Sequence, residues 1–387
     1  MKFTHVLCHY GEIGLKGKNR NFFENILVNN IKKSLKNHEI DFIIVEKIRG
    51  RILVKLKNQK DLEKLEESLK KVFGLVNFSF AVEIDNDIKK MKDASLSLLK
   101  DKEFKSFKIN TIRSYKGFSL NSQEINEKIG EYILDNLDKK VNLNNPDETV
   151  FMELTRDKSY LYTEKIKGLG GLPVSSGGRV LSLMSGGIDS PVASFLIAKR
   201  GVSINYIHFH SYPQTSKESI NKVKDIVKIL KEYNLGSTIY LVPFIDIQKE
   251  IVMSAPETLR IILYRRFMMR ISEKIAKKEK YKALVTGDSI GQVASQTLEN
   301  IESIADVVNM PIFRPLISFD KEEIITISQN IKTYKTSIKD CQDTCSWFMP
   351  KHPSTRSSIK KLSSAEAELN IDKLVEETIK SIEVIQV

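Results

Sequence analysis

Alternating apolar and polar positions over residues 3–10 predict a strand, and apolar spacing at Phe22, Phe23, Ile26, Leu27 and Ile31 predicts a helix after it. Strands are expected at 41–46 and 51–56, around Ile48-Arg-Gly50, then a helix through Leu62, Leu65, Leu69 and Val72 and a strand over 76–82. Strand, helix, strand, strand, helix, strand is the order of a small ferredoxin-like α+β unit. A second unit follows. It has a helix at 87–99, a strand at 107–113, a helix N-capped by Ser122 with Ile125 and Ile129 behind it, and a hairpin from 150–155 and 159–163.

The pattern changes beyond Lys167-Gly-Leu-Gly-Gly-Leu-Pro-Val-Ser-Ser-Gly-Gly-Arg179, whose composition marks a domain boundary. Apolar strands at 180–184, 202–209, 237–243 and 283–286 alternate with helical patterns from Val192 to Lys199, at 219–233 and at 261–278. Strand–helix alternation predicts a parallel sheet with right-handed crossovers, and ligands then sit at the carboxyl ends of the strands.

The length of 387 residues suits two to three domains, and 28% charged with 41% hydrophobic residues is the balance of a globular chain. No apolar run approaches the ~18 residues of a membrane span. The start, Met-Lys-Phe-Thr-His-Val-Leu-Cys-His-Tyr, lacks the apolar region and cleavage site of a signal peptide. Three cysteines are too few for a disulfide framework, so a cytoplasmic protein with no membrane partner is expected. Net charge is +12, and residues 1–60 hold 13 Lys/Arg against 5 Asp/Glu, so two-thirds of the excess sits in the first sixth of the chain. A general lysine bias explains a basic protein but not this concentration, which suits a phosphate backbone. Within it, Gly11-Glu-Ile-Gly-Leu-Lys-Gly-Lys-Asn-Arg20 brings Lys16, Lys18 and Arg20 into one glycine-rich turn.

The chemistry concentrates at Ser185-Gly-Gly-Ile-Asp-Ser190, which joins an apolar strand to an apolar helix. The first N–H groups of a helix have no partner within it and its dipole favours negative charge there, so this junction is an anion site. Gly186 and Gly187 admit a phosphate close to the backbone, and Pro191 suits a first helical turn. The loop is neither Gly-x-x-x-x-Gly-Lys-Ser/Thr nor Gly-x-Gly-x-x-Gly. Asp189 is placed to hold Mg²⁺ or orient a pyrophosphate; the plainer alternative is a carboxylate that answers the helix dipole. His208 and His210 share a strand face, but no carboxylate or thiol nearby completes a metal set. Of the four arginines between 260 and 270, Arg265 or Arg266 is expected to neutralise a triphosphate. Cys8 belongs in the first core. Cys341 and Cys345 fit neither zinc nor iron–sulfur spacing and read equally as a reactive thiol pair or as two buried cysteines. A nucleophilic thiol needs a cationic neighbour, and Lys339, Lys351 and His352 are the candidates.

Ser-Gly-Gly-x-Asp-Ser resembles the pyrophosphate loop (PP-loop) of enzymes that split ATP between the α and β phosphates and adenylate a substrate. Over almost its whole length the chain resembles the tRNA 4-thiouridine synthetase (tRNA uridine-8 sulfurtransferase) family. The residues carrying this are Tyr10-Gly-Glu-Ile-Gly-Leu-Lys-Gly-Lys-Asn-Arg20, Ser122-Gln-Glu-Ile, Asn145-Pro-Asp147, Gly168-Leu-Gly-Gly-Leu-Pro173, Lys199-Arg-Gly201 and His208-Phe-His-Ser-Tyr-Pro213. The most specific is Gly287-Asp-Ser-Ile-Gly-Gln-Val-Ala-Ser-Gln-Thr297. The resemblance implies an α/β protein with a ferredoxin-like domain over 1–59, a THUMP RNA-binding domain over 60–165, a linker over 166–179 and a PP-loop ATP pyrophosphatase domain over 180–387.

It further implies ATP contacts from Leu183, Met184, Ser185, Gly186, Gly187, Asp189, Ser190, His208, Phe209, Arg265, Gly287 and Gln296, with Mg²⁺ at Asp189. The tRNA acceptor end is expected at Lys16, Lys18, Arg20, Arg113 and Lys116, and uridine 8 at the loop. Cys345 corresponds to the family's sulfur-handling cysteine, and Cys341 is our expectation for a resolving thiol. Ending at Val387, the chain is expected to lack the rhodanese-like extension of some members, so a cysteine desulfurase would load Cys345 directly. The family's second route, sulfur for a carrier protein in thiamine thiazole synthesis, is set against that expected lack. A homodimer is implied too. Two other classes share one feature each. Another PP-loop ligase would not need the THUMP-like half, and a non-catalytic RNA-binding protein would not need the intact loop.

Overall fold

The structure is a computed structural model that describes residues 3–58, 61–340, 350 and 352–387. It divides into two compact units, Met1–Pro173 and Val174–Val387.

The first unit opens with β1 (His5–Tyr10), α1 (Arg20–Asn37), β2 (Phe42–Ile48), β3 (Arg51–Leu56), α2 (Leu62–Lys70) and β4 (Leu75–Asp85). β1 lies between β3 and β4, antiparallel to both, and β2 pairs with β3, which is the ferredoxin-like order β2-β3-β1-β4. The two-residue period of β1 turns Val6 and Cys8 towards one core with Leu27, Ile31, Leu65, Leu69 and Phe78. Cys8 is fully buried, and desolvation pushes its thiol pKa up, so it is a core residue. The packing departs from the boundary expected at 59/60, because α2 and the first half of β4 bury their apolar faces in this same core.

β4 then carries the sheet onward, its residues Val82–Asp85 pairing with a later hairpin. The continuation comprises α3 (Ile88–Leu99), β5 (Ser106–Arg113), α4 (Ser122–Asn136), β6 (Lys140–Val141), β7 (Glu148–Leu154), β8 (Lys158–Tyr162) and β9 (Ile166–Lys167). β5 runs parallel to both β6 and β7. Met91 and Leu98 of α3 and Ile125, Ile129 and Ile133 of α4 close a second core over this part of the sheet. The N-cap of α4 is Asn121 rather than the expected Ser122. Its side chain accepts from Gln123 and Glu124 N–H, and Glu124 accepts in return from the Asn121 N–H.

The second unit contains β10 (Arg179–Leu183), α5 (Asp189–Ala198), β11 (Ser203–His210), α6 (Glu218–Lys231), β12 (Thr238–Pro243), α7 (Ile245–Ser254), α8 (Arg260–Lys278), β13 (Leu284–Val285), α9 (Leu298–Ala305) and β14 (Ile312–Phe313). α10 (Lys321–Asn330), α11 (Tyr334–Ser337), α12 (Ile359–Glu366), α13 (Ile371–Lys380) and β15 (Glu383–Gln386) complete it. The sheet order is β14-β13-β10-β11-β12-β15. The four expected strands are parallel, β14 joins them as an unexpected fifth, and β15 adds antiparallel to the free edge of β12. No element after Thr297 is among the sequence expectations. α8 buries Ile262, Leu263, Phe267 and Ile271 in the main core, which α12 and α13 join through Leu362 and Val375. Among the described residues no helix is long and apolar enough to cross a membrane.

Candidate active site

The carboxyl ends of β10, β11 and β13 open on one cleft. Leu183 and Met184 enter it from the end of β10, Ser185, Asp189 and Ser190 from the loop and α5, and His208 and Phe209 from β11. Arg265 reaches it from α8, and Gly287 and Gln296 from the segment after β13. Ten of the residues expected around a nucleotide therefore meet, although they come from four separated stretches of sequence. Gly186 and Gly187 complete the loop between them. Ile207, Met268 and Thr286 also line the cleft and carry no motif signal of their own. Asp288 lines it too; it lies in the 287–297 motif but was given no role from sequence.

The loop is closed by its own serines. Ser185 N–H donates to Ser190 Oγ at 3.0 Å, and Gly187 N–H donates to Ser185 Oγ at 3.3 Å. Ser194 fastens α5 to the sheet, since its hydroxyl lies 2.8 Å from that of Ser182 and donates to the Ser190 carbonyl at 2.9 Å. No side chain caps the start of α5, so its first N–H groups remain directed at the cleft. Gly287 packs against this start. A β-carbon there would lie 2.9 Å from Ser190 N, closer than real β-carbons approach, and 3.0 Å from the Asp189 carbonyl carbon, tighter than nearly all of them.

Asp189 is held from both sides. Gln292 Nε2 donates to its Oδ2 at 2.9 Å, and Lys321 Nζ donates to its Oδ1 at 2.7 Å. Neither partner was expected from sequence; Lys321 is 132 residues away along the chain. Arg265 pairs with Asp288, which also accepts from Thr286 Oγ1 at 2.7 Å and from Arg314 Nε at 3.3 Å. Burial alone would raise the Asp288 pKa, but the Arg265 charge, the Thr286 and Arg265 hydrogen bonds and Arg314 outweigh it and hold the carboxyl below its ordinary value. Arg266, the alternative to Arg265, is not at the cleft. It is buried against Glu366, with Nε and Nη2 each 3.0 Å from a carboxylate oxygen, and Arg270 braces the same group at 2.7 and 2.8 Å. Different faces of one helix thus send Arg265 to the cleft and keep Arg266 as a clamp between α8 and α12.

His208 lies at 2% exposure, and desolvation lowers its pKa to about 4, so the ring is neutral at neutral pH. Its Nδ1 is 2.9 Å from the Met184 carbonyl, which only accepts, so Nδ1 carries the hydrogen and Nε2 is a bare acceptor. That Nε2 and Gln296 Oε1 are buried without a partner among the described residues. Desolvation and the neighbouring His208 also lower His210 to about 4. Among the described residues there is no group of three or more His, Cys, Asp or Glu side chains able to hold a metal. Cys341 and Cys345 lie outside the described residues.

The basic residues expected at an RNA surface divide in the first unit. Lys18 and Lys116 are exposed, and Lys16 lies 5.2 Å from the Phe23 ring centre. Arg20 is engaged by Glu24 at 2.8 Å and by the Tyr10 hydroxyl. Arg113 donates to the carbonyls of Lys116 and Phe118 at 2.9 and 3.0 Å, so it shapes its loop.

This arrangement has counterparts. The profile of the family described as Thiamine biosynthesis protein (ThiI) matches residues 175–371, that of the ThiI ferredoxin-like domain residues 5–79, and that of the THUMP domain residues 85–164. A probable tRNA sulfurtransferase of Caldanaerobacter subterraneus subsp. tengcongensis is 44% identical over 372 residues, covering 96% of this chain and 97% of that protein. One from Clostridium acetobutylicum is 42% identical over 383 residues, covering 99% and 98%. Among solved structures, a 4-thiouridine synthetase in complex with RNA and bound ATP superposes with a TM-score of 0.91 at 37% identity, covering 100% of both chains. The chain belongs to the ThiI family of tRNA sulfurtransferases.

Proposed function

We propose that this chain makes 4-thiouridine at position 8 of tRNA, using ATP to activate the uridine and a cysteine persulfide to supply sulfur. The observation that carries the reading is the cleft itself. An uncapped helix start, a closed Ser-Gly-Gly loop and an Asp189 held by Lys321 and Gln292 meet at the carboxyl ends of parallel strands. ATP fits the polar groups present. His208 Nε2 and Gln296 Oε1 are acceptors without partners, which suits the amino group of adenine and disfavours the carbonyl of guanine. Magnesium would be met here by the Asp189 carboxylate, whose two oxygens keep lone pairs beyond those used by Gln292 and Lys321, and it would supply positive charge to the phosphates.

The uridine O4 attacks the α phosphate and pyrophosphate leaves. Arg265 and the start of α5 stabilise the charge that develops. Adenylation turns O4 into a leaving group that departs with AMP when sulfur attacks C4. The sulfur is the outer atom of a persulfide on Cys345, loaded by a cysteine desulfurase. Either that atom bonds to C4 and Cys341 then attacks Cys345, or Cys341 attacks first and frees sulfide as the nucleophile. Both routes leave a Cys341–Cys345 disulfide that a reductant must reopen. The first unit, with Lys18 and Lys116 exposed, holds the acceptor end, and a second copy of the chain presents the cleft to uridine 8. The thiamine route stays outside this proposal.

The test combines ATP, Mg²⁺, tRNA, cysteine and a desulfurase, with 4-thiouridine read by its near-ultraviolet absorbance. Asp189→Asn should lose tRNA-dependent AMP formation, whereas Cys345→Ala should keep adenylation and lose thiolation. Full thiolation by Cys345→Ala would sink its role as carrier, and unchanged turnover by Cys341→Ala would remove the resolving role.

A further inference from the structure

The cations around the loop are unequal. Lys321 is spent on Asp189, and Arg265 and Arg314 on Asp288. Lys222 is different. It stands on α6, whose Val223, Ile226, Val227 and Leu230 are buried, which leaves Lys222 on the half-buried flank. Its stem lies across the loop: a β-carbon on Gly186 would be 3.2 Å from Lys222 Cδ, 3.6 Å from Cε and 3.7 Å from Nζ. The ammonium donates to the main-chain carbonyl of Lys339 at 2.7 Å. Among the described residues no carboxylate pairs with it. A neutral carbonyl therefore fixes the position of Nζ without neutralising it, and two of its three N–H donors stay available.

We propose that Lys222 binds the pyrophosphate end of the nucleotide. This rests on the reading of the cleft as an ATP site. The loop N–H groups and the start of α5 supply partial charges, and the paired cations bring carboxylates with them. A triphosphate carries three to four negative charges, and Lys222 is a full positive charge beside Gly186 that has no carboxylate partner among the described residues.

The test is calorimetric binding of ATP, AMP and inorganic pyrophosphate to the full chain, to Lys222→Met and to Lys222→Arg. Loss of a charge-assisted contact predicts about tenfold or greater weakening for ATP and pyrophosphate in Lys222→Met. AMP, which lacks the pyrophosphate, should bind as before, and Lys222→Arg should recover most of the loss. Equal weakening of all three ligands with a lowered melting temperature would mean that Lys222 only tethers Lys339, and it overturns the proposal. Unchanged ATP and pyrophosphate binding in Lys222→Met overturns it too. If the unaltered chain binds no ATP, the functional reading falls and this inference falls with it.

Discussion

Gly287 shows how much one missing methyl group controls. The space its β-carbon would need holds the Ser190 nitrogen and the Asp189 carbonyl carbon, and main-chain atoms at a helix start have no rotamer to yield. Gly287→Ala should therefore displace the start of α5 and weaken ATP binding at least tenfold, a loss of about 1.4 kcal/mol or more. Calorimetry on a variant with an unchanged far-ultraviolet circular dichroism spectrum checks this, and wild-type affinity would show that the loop can shift. The sequence named Gly287 only through its motif, because the contact that requires glycine comes from about a hundred residues away. The same distance hid Lys321 and Lys222. Composition marks a lysine but not the carboxylate or carbonyl it will meet. Arg265 and Arg266 were indistinguishable for a related reason: adjacent helical residues point about 100° apart, and only packing decides which one faces the cleft.

At the scale of elements, apolar period was enough to find most strands and helices through Thr297, because each buries one face on a sheet, but it missed α7 and the two-residue strands β6 and β9. Their ends were less legible. Asn121 and Ser122 both have cap chemistry, and the choice of Asn121 is made by Glu124 standing three residues after it and closing the reciprocal pair. Asn121→Ala should thus cost about 1 kcal/mol, while Ser122→Ala, inside the helix, should cost a few tenths at most. Urea denaturation of the two variants distinguishes them, and an equal loss would place the cap elsewhere. After Thr297 the helices are short and join a core made by others, as Glu366 of α12 does by closing the clamp on Arg266 and Arg270. A pattern read along the chain carries little sign of such docking. The antiparallel β15 was hidden likewise, since an edge strand of four residues has one partner and little period to show.

At the scale of the molecule, both units hold histidines in their sheets whose pKa lies well below the ordinary value. Desolvation, with Arg51 and Lys165 adding to it, lowers His9 to about 4 in the first unit; desolvation likewise lowers His208 and His210 to about 4 in the second. The unfolded chain titrates these groups near 6.5. Between pH 6.5 and 4 it binds more protons than the folded chain, so stability rises with pH across that window and is lost as pH falls through it. Each histidine contributes at most on the order of 3 kcal/mol by the acid end of the window. Asp288 and Glu366 do not blur the assignment. Their carboxyls are held below the ordinary range, so their contribution is lost at still lower pH. Denaturant unfolding at pH 7.5 and pH 5 should therefore show a marked loss at the acid value in any transition of either unit. His208→Asn keeps a donor for the Met184 carbonyl and removes a titrating ring, so it should make the second unit's stability less dependent on pH. A transition that is flat between the two pH values in the unaltered chain would mean that these rings accept protons without leaving their sites.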